Sequence, residues 1–283
     1  MSASQAAEVQ GAESRPAGAA RIVVVVADGL RADVAAQAMG YLGALLEAGR
    51  ASRIELKSGL PSLSRPLYAT LITGQWPVDH GIVTNQQVRA CGQTLFDDAH
   101  AAGQRSVVVA YHWFCELLTG EPFDPLAQRR HLPAGRSIVE ACWYFEDDYP
   151  DSHTLADAEA LRLAHAPELL FIHPMGPDDR GHRFGGESDE YRMSARRLDM
   201  ALARTIPRWH ADGYDVLLTS DHGMGRDRMH GGCDDAERIV PFVWMPAAGP
   251  AQARMLALPL PTQQTGLREF LRQHRLAHGR REA

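Results

Sequence analysis

An α/β fold with a doubly wound, mostly parallel sheet flanked by helices is what this sequence predicts. Three observations lead there. Short apolar runs, several of them β-branched, recur along the chain. Stretches with helical spacing separate them, and polar loops rich in Asp and His follow several runs at their C-terminal ends. Alternation of this kind is the pattern of strands joined by crossover helices, with both faces of the sheet covered.

The first run, residues 22–27 (Ile-Val-Val-Val-Val-Ala), reads as a central parallel strand opening into a loop at Asp28-Gly29. Residues 35–48 carry apolar side chains at helical spacing, and Gly49 is the expected stop. Residues 66–73 read as a short helix behind the loop that bears Ser64, broken by Gly74-Gln75-Trp76-Pro77. Residues 94–102 follow as a helix. Further strands are expected at 106–110, 169–173, 216–219 and 239–244, and a terminal helix at 266–273. Residues 112–155 break the rhythm, being aromatic, Pro-rich and acidic without clear periodicity. They read equally as a small cap over the site or as an irregular insertion packed by its own aromatics. Residues 1–20, rich in Ala, Ser, Gly, Gln and Glu, read as a flexible tail ahead of one domain spanning 21–283.

At 283 residues the chain can bury one substantial core, and 45% hydrophobic with 23% charged residues is ordinary for a soluble globular protein. The net charge of −6 argues against a nucleic-acid scaffold, which would need a basic face. It does not oppose a small phosphorylated substrate, whose charge a bound metal pair would offset. Cys91, Cys115, Cys142 and Cys233 are scattered without a Cys-x-x-Cys pair, so neither a disulfide framework nor a zinc ribbon is expected. Cys233 reads as a small buried side chain rather than a further ligand. No apolar run is long enough for a signal-peptide core or a membrane span. The expectation is a cytoplasmic enzyme without a membrane partner.

The chemistry is concentrated in a few loops. Asp28, Asp178 and Asp221 each follow an expected strand. In doubly wound sheets ligands bind beyond the carboxyl ends of the strands, so the three should face one crevice. Asp178 and His182 lie four apart in Pro177-Asp178-Asp179-Arg180-Gly181-His182, so one helical turn can aim both at one cation. Asp221-His222 is followed by Gly223, and His230 comes eight residues after His222, ahead of Gly231-Gly232. Carboxylate oxygens and imidazole nitrogens are ligands for divalent metals. Ser64 precedes an expected helix, whose N-terminus favours an anionic substrate. Metal coordination would make its hydroxyl a competent nucleophile, although by spacing alone Ser62 or Ser64 would serve as a helix cap. The set suits two-metal displacement at a phosphoryl or similar ester centre.

Taken in order, these segments resemble the alkaline phosphatase superfamily, and within it the nucleotide pyrophosphatase/phosphodiesterase branch. Val26-Ala27-Asp28-Gly29, Pro61 to Pro66, Leu71-Ile72-Thr73-Gly74 and Pro77-Val78-Asp79-His80-Gly81-Ile82 carry the first half. Pro177 to His182, Ser220-Asp221-His222-Gly223-Met224 and His230-Gly231-Gly232 complete it, so that the resemblance runs from about residue 22 to 245. It implies an alkaline phosphatase-like catalytic domain holding two divalent metal ions, usually zinc, with manganese or a mixed pair as alternatives, about 4 Å apart. One would be held by Asp178, His182 and His230, the other by Asp28, Asp221 and His222, with Ser64 bridging metal and substrate. Ser64 would attack in line, and water would release the covalent intermediate.

That branch carries Thr at the nucleophile and Asn three residues later as an oxyanion donor. Ser64 and Leu67 occupy those positions here, which leaves Arg65, Tyr68 and His173 as candidate donors, the first two taken as substrate contacts. Ser64-Arg65-Pro66-Leu67-Tyr68 also has Tyr where the sulfatase motif has Arg, which argues against a sulfatase. The expected activity is hydrolysis of phosphoric esters of a small substrate, of the type I phosphodiesterase or nucleotide pyrophosphatase kind. A diester is favoured because Arg65 alone offers an extra cation for a monoester. Phosphonate hydrolysis and phosphosugar mutase chemistry run on the same scaffold, and a non-catalytic ligand sensor ranks lowest.

Overall fold

A computed structural model describes residues 20–249, 261 and 263–279. At its centre stands β1 (Ile22–Val26), five apolar residues that are all buried. Alternate side chains of a strand point to opposite faces, so Ile22, Val24 and Val26 enter one core cluster and Val23 and Val25 the other. The remaining strands are β2 (Ser52–Lys57), β3 (Ser106–Tyr111), β4 (Ile138–Tyr144), β5 (Leu169–Ile172), β6 (Asp215–Thr219) and β7 (Ile239–Met245). They form one seven-stranded sheet in the order β2-β7-β6-β1-β5-β3-β4. The strands from β6 to β4 are parallel neighbours, while β7 is antiparallel to both β6 and β2. Helices cover both faces, as the alternating pattern requires.

The α/β sheet is as expected, with two strands more than the apolar runs indicated. β2 alternates exposed and part-buried residues at the sheet edge, so its sequence, Ser-Arg-Ile-Glu-Leu-Lys, carries little apolar signal. β4 lies inside residues 112–155, pairs with β3 and buries Trp143 and Tyr144. Irregular structure in that segment is therefore narrower than expected. It lies between α6 (Trp113–Thr119) and β4, and after β4 the chain soon enters α7 (Asp151–His165).

The helix expected over 35–48 is two helices, α1 (Ala32–Ala38) and α2 (Gly40–Glu47), broken at Met39. The break has a cause outside the segment. The Asp199 carboxylate accepts from the backbone N–H groups of Tyr41 and Leu42 at 2.7 and 3.1 Å, satisfying donors that open a new helix. Asp199 belongs to α9 (Asp189–Ala211), whose Tyr191, Ala195, Leu198, Leu202, Ile206 and Trp209 form a buried stripe at helical spacing. Preceding it is α8 (Gly176–Phe184). On the other side of the sheet, α3 (Ser64–Thr73) is buried along its whole length and ends at Gly74, in the left-handed conformation at φ +73°. α4 (Pro77–His80), α5 (Leu95–Ala101), α10 (Asp235–Arg238) and α11 (Gly266–Gly279) complete the helices that bear on the site.

Among the described residues no helix is long and apolar enough to cross a membrane. The four cysteines are free, and Cys233, expected to be buried, is exposed. The N-terminal tail expected over 1–20 lies, apart from Ala20, outside the described residues.

Candidate metal centre

Adjacency of β6, β1 and β5 decides where the ligands go. Asp28 lies just beyond β1, Asp221 and His222 just beyond β6, and α8 enters shortly after β5, so three neighbouring carboxyl ends feed one crevice. Two groups of three ligand atoms form there. Asp28, Asp221 and His222 make one, and Asp178, His182 and His230 the other, the atoms of each group within 4.8 Å of one another. Gly29 lets the two approach. At φ +65° it takes a left-handed conformation, and a side chain there would lie 2.9 Å from the Cα of Asp178.

Hydrogen bonding sets the tautomer of all three imidazoles. Nδ1 of His182, His222 and His230 faces a backbone carbonyl, of Arg228 at 2.9 Å, Gly223 at 2.8 Å and Ser62 at 2.7 Å respectively. A carbonyl can only accept, so each Nδ1 carries a proton, and the neutral imidazole then presents the Nε2 lone pair to the crevice. Nε2 of His182 and Nε2 of His230 then face each other at 3.1 Å. Two lone pairs at that separation repel unless a metal cation or a proton lies between them.

The carboxylates pose the same problem. Asp28, Asp221 and His222 are completely buried, and Oδ1 of Asp28, Oδ1 of Asp178 and Oδ2 of Asp221 have no hydrogen-bond partner among the described residues. Burial, and then the neighbouring acids, push all three carboxyls well above the usual range: Asp178 acts on Asp28, Asp221 on Asp178, and Asp28 on Asp221. Burial pushes the imidazoles the other way, His222 well below its ordinary value and His230 to about 4, helped by the neighbouring histidines. Acids that resist ionising and imidazoles that resist protonation, all aimed inward, fit bound divalent cations, which favour both ligand forms.

The two groups differ in access. The Asp28 group is sealed, whereas the His182 side chain is 41% exposed. Ser64 stands beside the sealed group. It is the first residue of α3, 5% exposed, with Oγ 3.0 Å from Nε2 of His222.

The candidate substrate contacts are placed as follows. Arg65 is 2% exposed and engaged by the protein: it pairs with Glu116 at 2.5 Å, bonds the Asn85 carbonyl at 2.7 Å and lies 4.6 Å over the Trp113 ring. Tyr68 donates to Oδ2 of Asp28. Behind it, Nε2 of the buried His173 lies 3.1 Å from the same oxygen, and Nδ1 of His173 lies 2.9 Å from the Tyr144 hydroxyl. Leu67 is in the core.

The residues that sequence reasoning missed are amides. Asn85 lies in the loop after α4, and its Oδ1 accepts from the Arg65 N–H at 3.0 Å, which sets its side chain at the N-terminus of α3, beside Ser64. Its Nδ2 is left as a donor in that neighbourhood. Gln264 is buried, and its Nε2 donates to the carbonyls of Ser220 (3.0 Å) and Asp221, fixing the backbone of the ligand loop. A lone Asn or Gln in a loop carries no periodicity to mark it. Asn85 lies three residues beyond the Pro77 to Ile82 segment, which is the nearest any sequence signal came to it.

Comparison with known proteins agrees with this geometry. Residues 22–109 and 139–258 match the family described as type I phosphodiesterase / nucleotide pyrophosphatase. GPI ethanolamine phosphate transferase 1 of Mus musculus is 24% identical over 247 residues, covering 81% of this chain and 26% of that protein. The human ectonucleotide pyrophosphatase/phosphodiesterase family member 7 is 25% identical over 185 residues, covering 58% of this chain and 39% of that protein. The chain thus spans well under half the length of these curated relatives. Among solved structures, phosphonoacetate hydrolase from Sinorhizobium meliloti 1021 superposes with a TM-score of 0.54 at 20% identity over 74% of this chain and 57% of that one. The zinc complex of the periplasmic domain of EcEptC from Escherichia coli gives 0.61 at 13% identity over 92% and 83%. With the family match extending over most of its length and the ligand groups assembled at the strand ends, this chain belongs to the type I phosphodiesterase/nucleotide pyrophosphatase family, within the alkaline phosphatase superfamily.

Proposed function

We propose that the chain hydrolyses phosphoric diesters through Ser64, with two divalent metal ions, zinc in the first instance. The observation that carries this reading is the position of Ser64 Oγ, 3.0 Å from Nε2 of His222, beside two groups of three inward-facing ligands. Asp28, Asp221 and His222 would hold one ion, and Asp178, His182 and His230 the other. When bound, such ions supply charge compensation at the phosphoryl group and lower the pKa of a coordinated hydroxyl or water.

The chain's own residues do the rest. Ser64 Oγ gives up its hydroxyl proton to solvent and forms the bond to phosphorus as the bond to the leaving oxygen breaks, and the leaving oxygen takes a proton from solvent. Water then attacks the serine phosphoester from the open, His182 side, and the Ser64 hydroxyl is restored. Asn85 Nδ2, anchored beside the start of α3, supports this mechanism as a donor to a non-bridging phosphoryl oxygen, a role in which one donor contributes about 2.7–4 kcal/mol in other enzymes. Leu67 cannot supply it.

Charge favours a diester. Arg65, the cation next to the nucleophile, is neutralised by Glu116, and a monoester's additional negative charge would go unmatched by it. The relatives named for transferring ethanolamine phosphate suggest a second acceptor, an alcohol in place of water, with the same first half-reaction. The test is turnover of a nitrophenyl phosphodiester against the matching monoester by metal-quantified protein, with and without added alcohols. Chelator-sensitive diester turnover supports the reading. Preference for the monoester, or turnover that survives Ser64→Ala, defeats it.

A further inference from the structure

The turn that leads into His230 breaks a backbone rule, and it does so at the residue whose carbonyl holds His182. Residues 225–229 (Gly-Arg-Asp-Arg-Met) reverse the chain tightly. The Arg228 N–H donates to the Gly225 carbonyl at 3.3 Å, and the Gly225 N–H donates to the Met229 carbonyl at 2.8 Å. A three-residue reversal of this kind ends on a residue in the left-handed region, a position suited to Gly. Here that residue is Arg228, at φ +69°. Among the described residues only Ala166 shares the conformation without being glycine, and Ala166 ends α7, where left-handed residues are common. Arg228 ends no helix. Its side chain is exposed, so its own burial does not account for the conformation.

The left-handed backbone directs the Arg228 carbonyl at Nδ1 of His182, 2.9 Å away. The same five residues are docked on the end of α8, the helix that carries Asp178 and His182. The Gly186 N–H donates to the Gly225 carbonyl at 2.9 Å, and a side chain at Gly185 would meet the Arg226 carbonyl at 2.6 Å. Directly after Met229 comes His230, the third member of the open ligand group. One turn thus places two ligands of that group, His230 by chain continuity and His182 by a hydrogen bond.

We propose that Arg228 is a positioning residue for the open metal site and acts through its backbone, its left-handed conformation holding His182 in the tautomer that presents Nε2 to the ion. This rests on reading Asp178, His182 and His230 as metal ligands. A backbone role makes a distinctive demand: affinity for the open ion must follow how readily residue 228 turns left-handed and must ignore its charge. Glycine enters that region freely, alanine at a cost like that of Arg, and β-branched valine hardly at all.

The test is zinc binding by the full chain in competition with a fluorescent chelator, for the parent protein, Arg228→Gly, Arg228→Ala and Arg228→Val. Nitrogen NMR of the His182 ring in the metal-free proteins, at a pH where the ring is neutral, is the second readout. Expected is affinity close to the parent's in the Gly and Ala variants. Arg228→Val should lose about 10- to 100-fold at the open site alone, the scale of losing a hydrogen-bond partner of a ligand. The ring proton should stay on Nδ1 in the first two variants and move partly to Nε2 in Arg228→Val. The ion at Asp28, Asp221 and His222 controls for folding. If Arg228→Val loses both ions, Arg228→Gly decides alone: affinity equal to the parent's or tighter supports the proposal, and a loss overturns it. Equal losses in all three variants would overturn it, because the guanidinium would then be what counts. Equal affinity in all three, with the ring proton unmoved, would overturn it as well. A parent protein that binds no ion at the open site would defeat the ligand reading and the proposal together, whereas in the failures above the parent binds both ions.

Discussion

Tyr68 donates its phenolic hydrogen to Oδ2 of Asp28, tying α3, which begins at Ser64, to the loop just beyond β1. Both residues are fully buried. Burial, and then the charges of Asp28 and Asp221, raise the phenol well above its usual range, so it stays a donor. His173 approaches the same oxygen with Nε2, and burial holds that imidazole neutral, down to about 3. The Tyr144 hydroxyl donates to the His173 backbone carbonyl and lies 2.9 Å from Nδ1. Oδ2 is thus bonded by Tyr68 with His173 beside it, and Oδ1 is left to face the ligand group.

From this follows the first prediction. Tyr68→Phe keeps the ring packed on Phe114, 4.4 Å away, but frees Oδ2 to rotate. We expect zinc affinity at the Asp28 group to fall by about 10- to 100-fold, as loss of such outer partners generally causes. Competition with a fluorescent chelator measures it. Unchanged affinity would show that the phenol serves packing alone.

Ser64→Ala separates chemistry from assembly. Removing a nucleophile in a coupled site lowers turnover by about 10^3-fold or more, while the six inward ligands remain. Metal analysis should therefore match the parent protein. Asp221→Asn should give the opposite result, with metal lost and folding retained because Gln264 still holds the loop through backbone carbonyls. A Ser64→Ala protein without metal would mean that the hydroxyl is itself an essential ligand.

Unequal exposure predicts unequal exchange. The His182 side chain is 41% exposed, whereas Asp28, Asp221 and His222 are sealed. Chelation should remove one ion fast and the other slowly, and His182→Ala should abolish the fast phase alone. Stopped-flow chelation with a colorimetric dye reads both phases, and a single phase removing two ions together would contradict the assignment.

Much of this cluster was legible because its three acids follow apolar strands and the parallel order fixes which end they occupy. Asp28, Asp178 and Asp221 declared themselves in that way. Others were hidden for physical reasons. Asn85 reaches the start of α3 through a loop, with no period to reveal it, and Gln264 acts from more than 40 residues beyond the backbone it holds. β2 alternates too weakly to stand out at an edge, and β4 was masked by the aromatic and acidic loops around it. The break between α1 and α2 depends on Asp199, more than 150 residues distant, which no local reading can supply.

Arg65 and Glu116 form a buried pair, their side chains 3% and 7% exposed, that locks α3 to α6. Burial alone would raise the Glu116 carboxyl. His112, the Phe123 N–H and Arg65 outweigh it and hold the group down at about 2, against an ordinary value of 4.5. A carboxyl depressed on folding contributes stability that is fully present above its unfolded value and lost as pH falls through the folded one. The lock should therefore weaken between about pH 4.5 and 2. Glu116→Gln removes that acid dependence, and it also leaves the Arg65 charge buried without its partner. Breaking one side of such a pair generally costs about 3–5 kcal/mol. Urea unfolding at neutral pH should show a loss of that size, and the gap between parent and variant should narrow as the pH is taken toward 2. A gap that stays constant with pH would mean that packing on Trp113, rather than the ion pair, holds Arg65 in place.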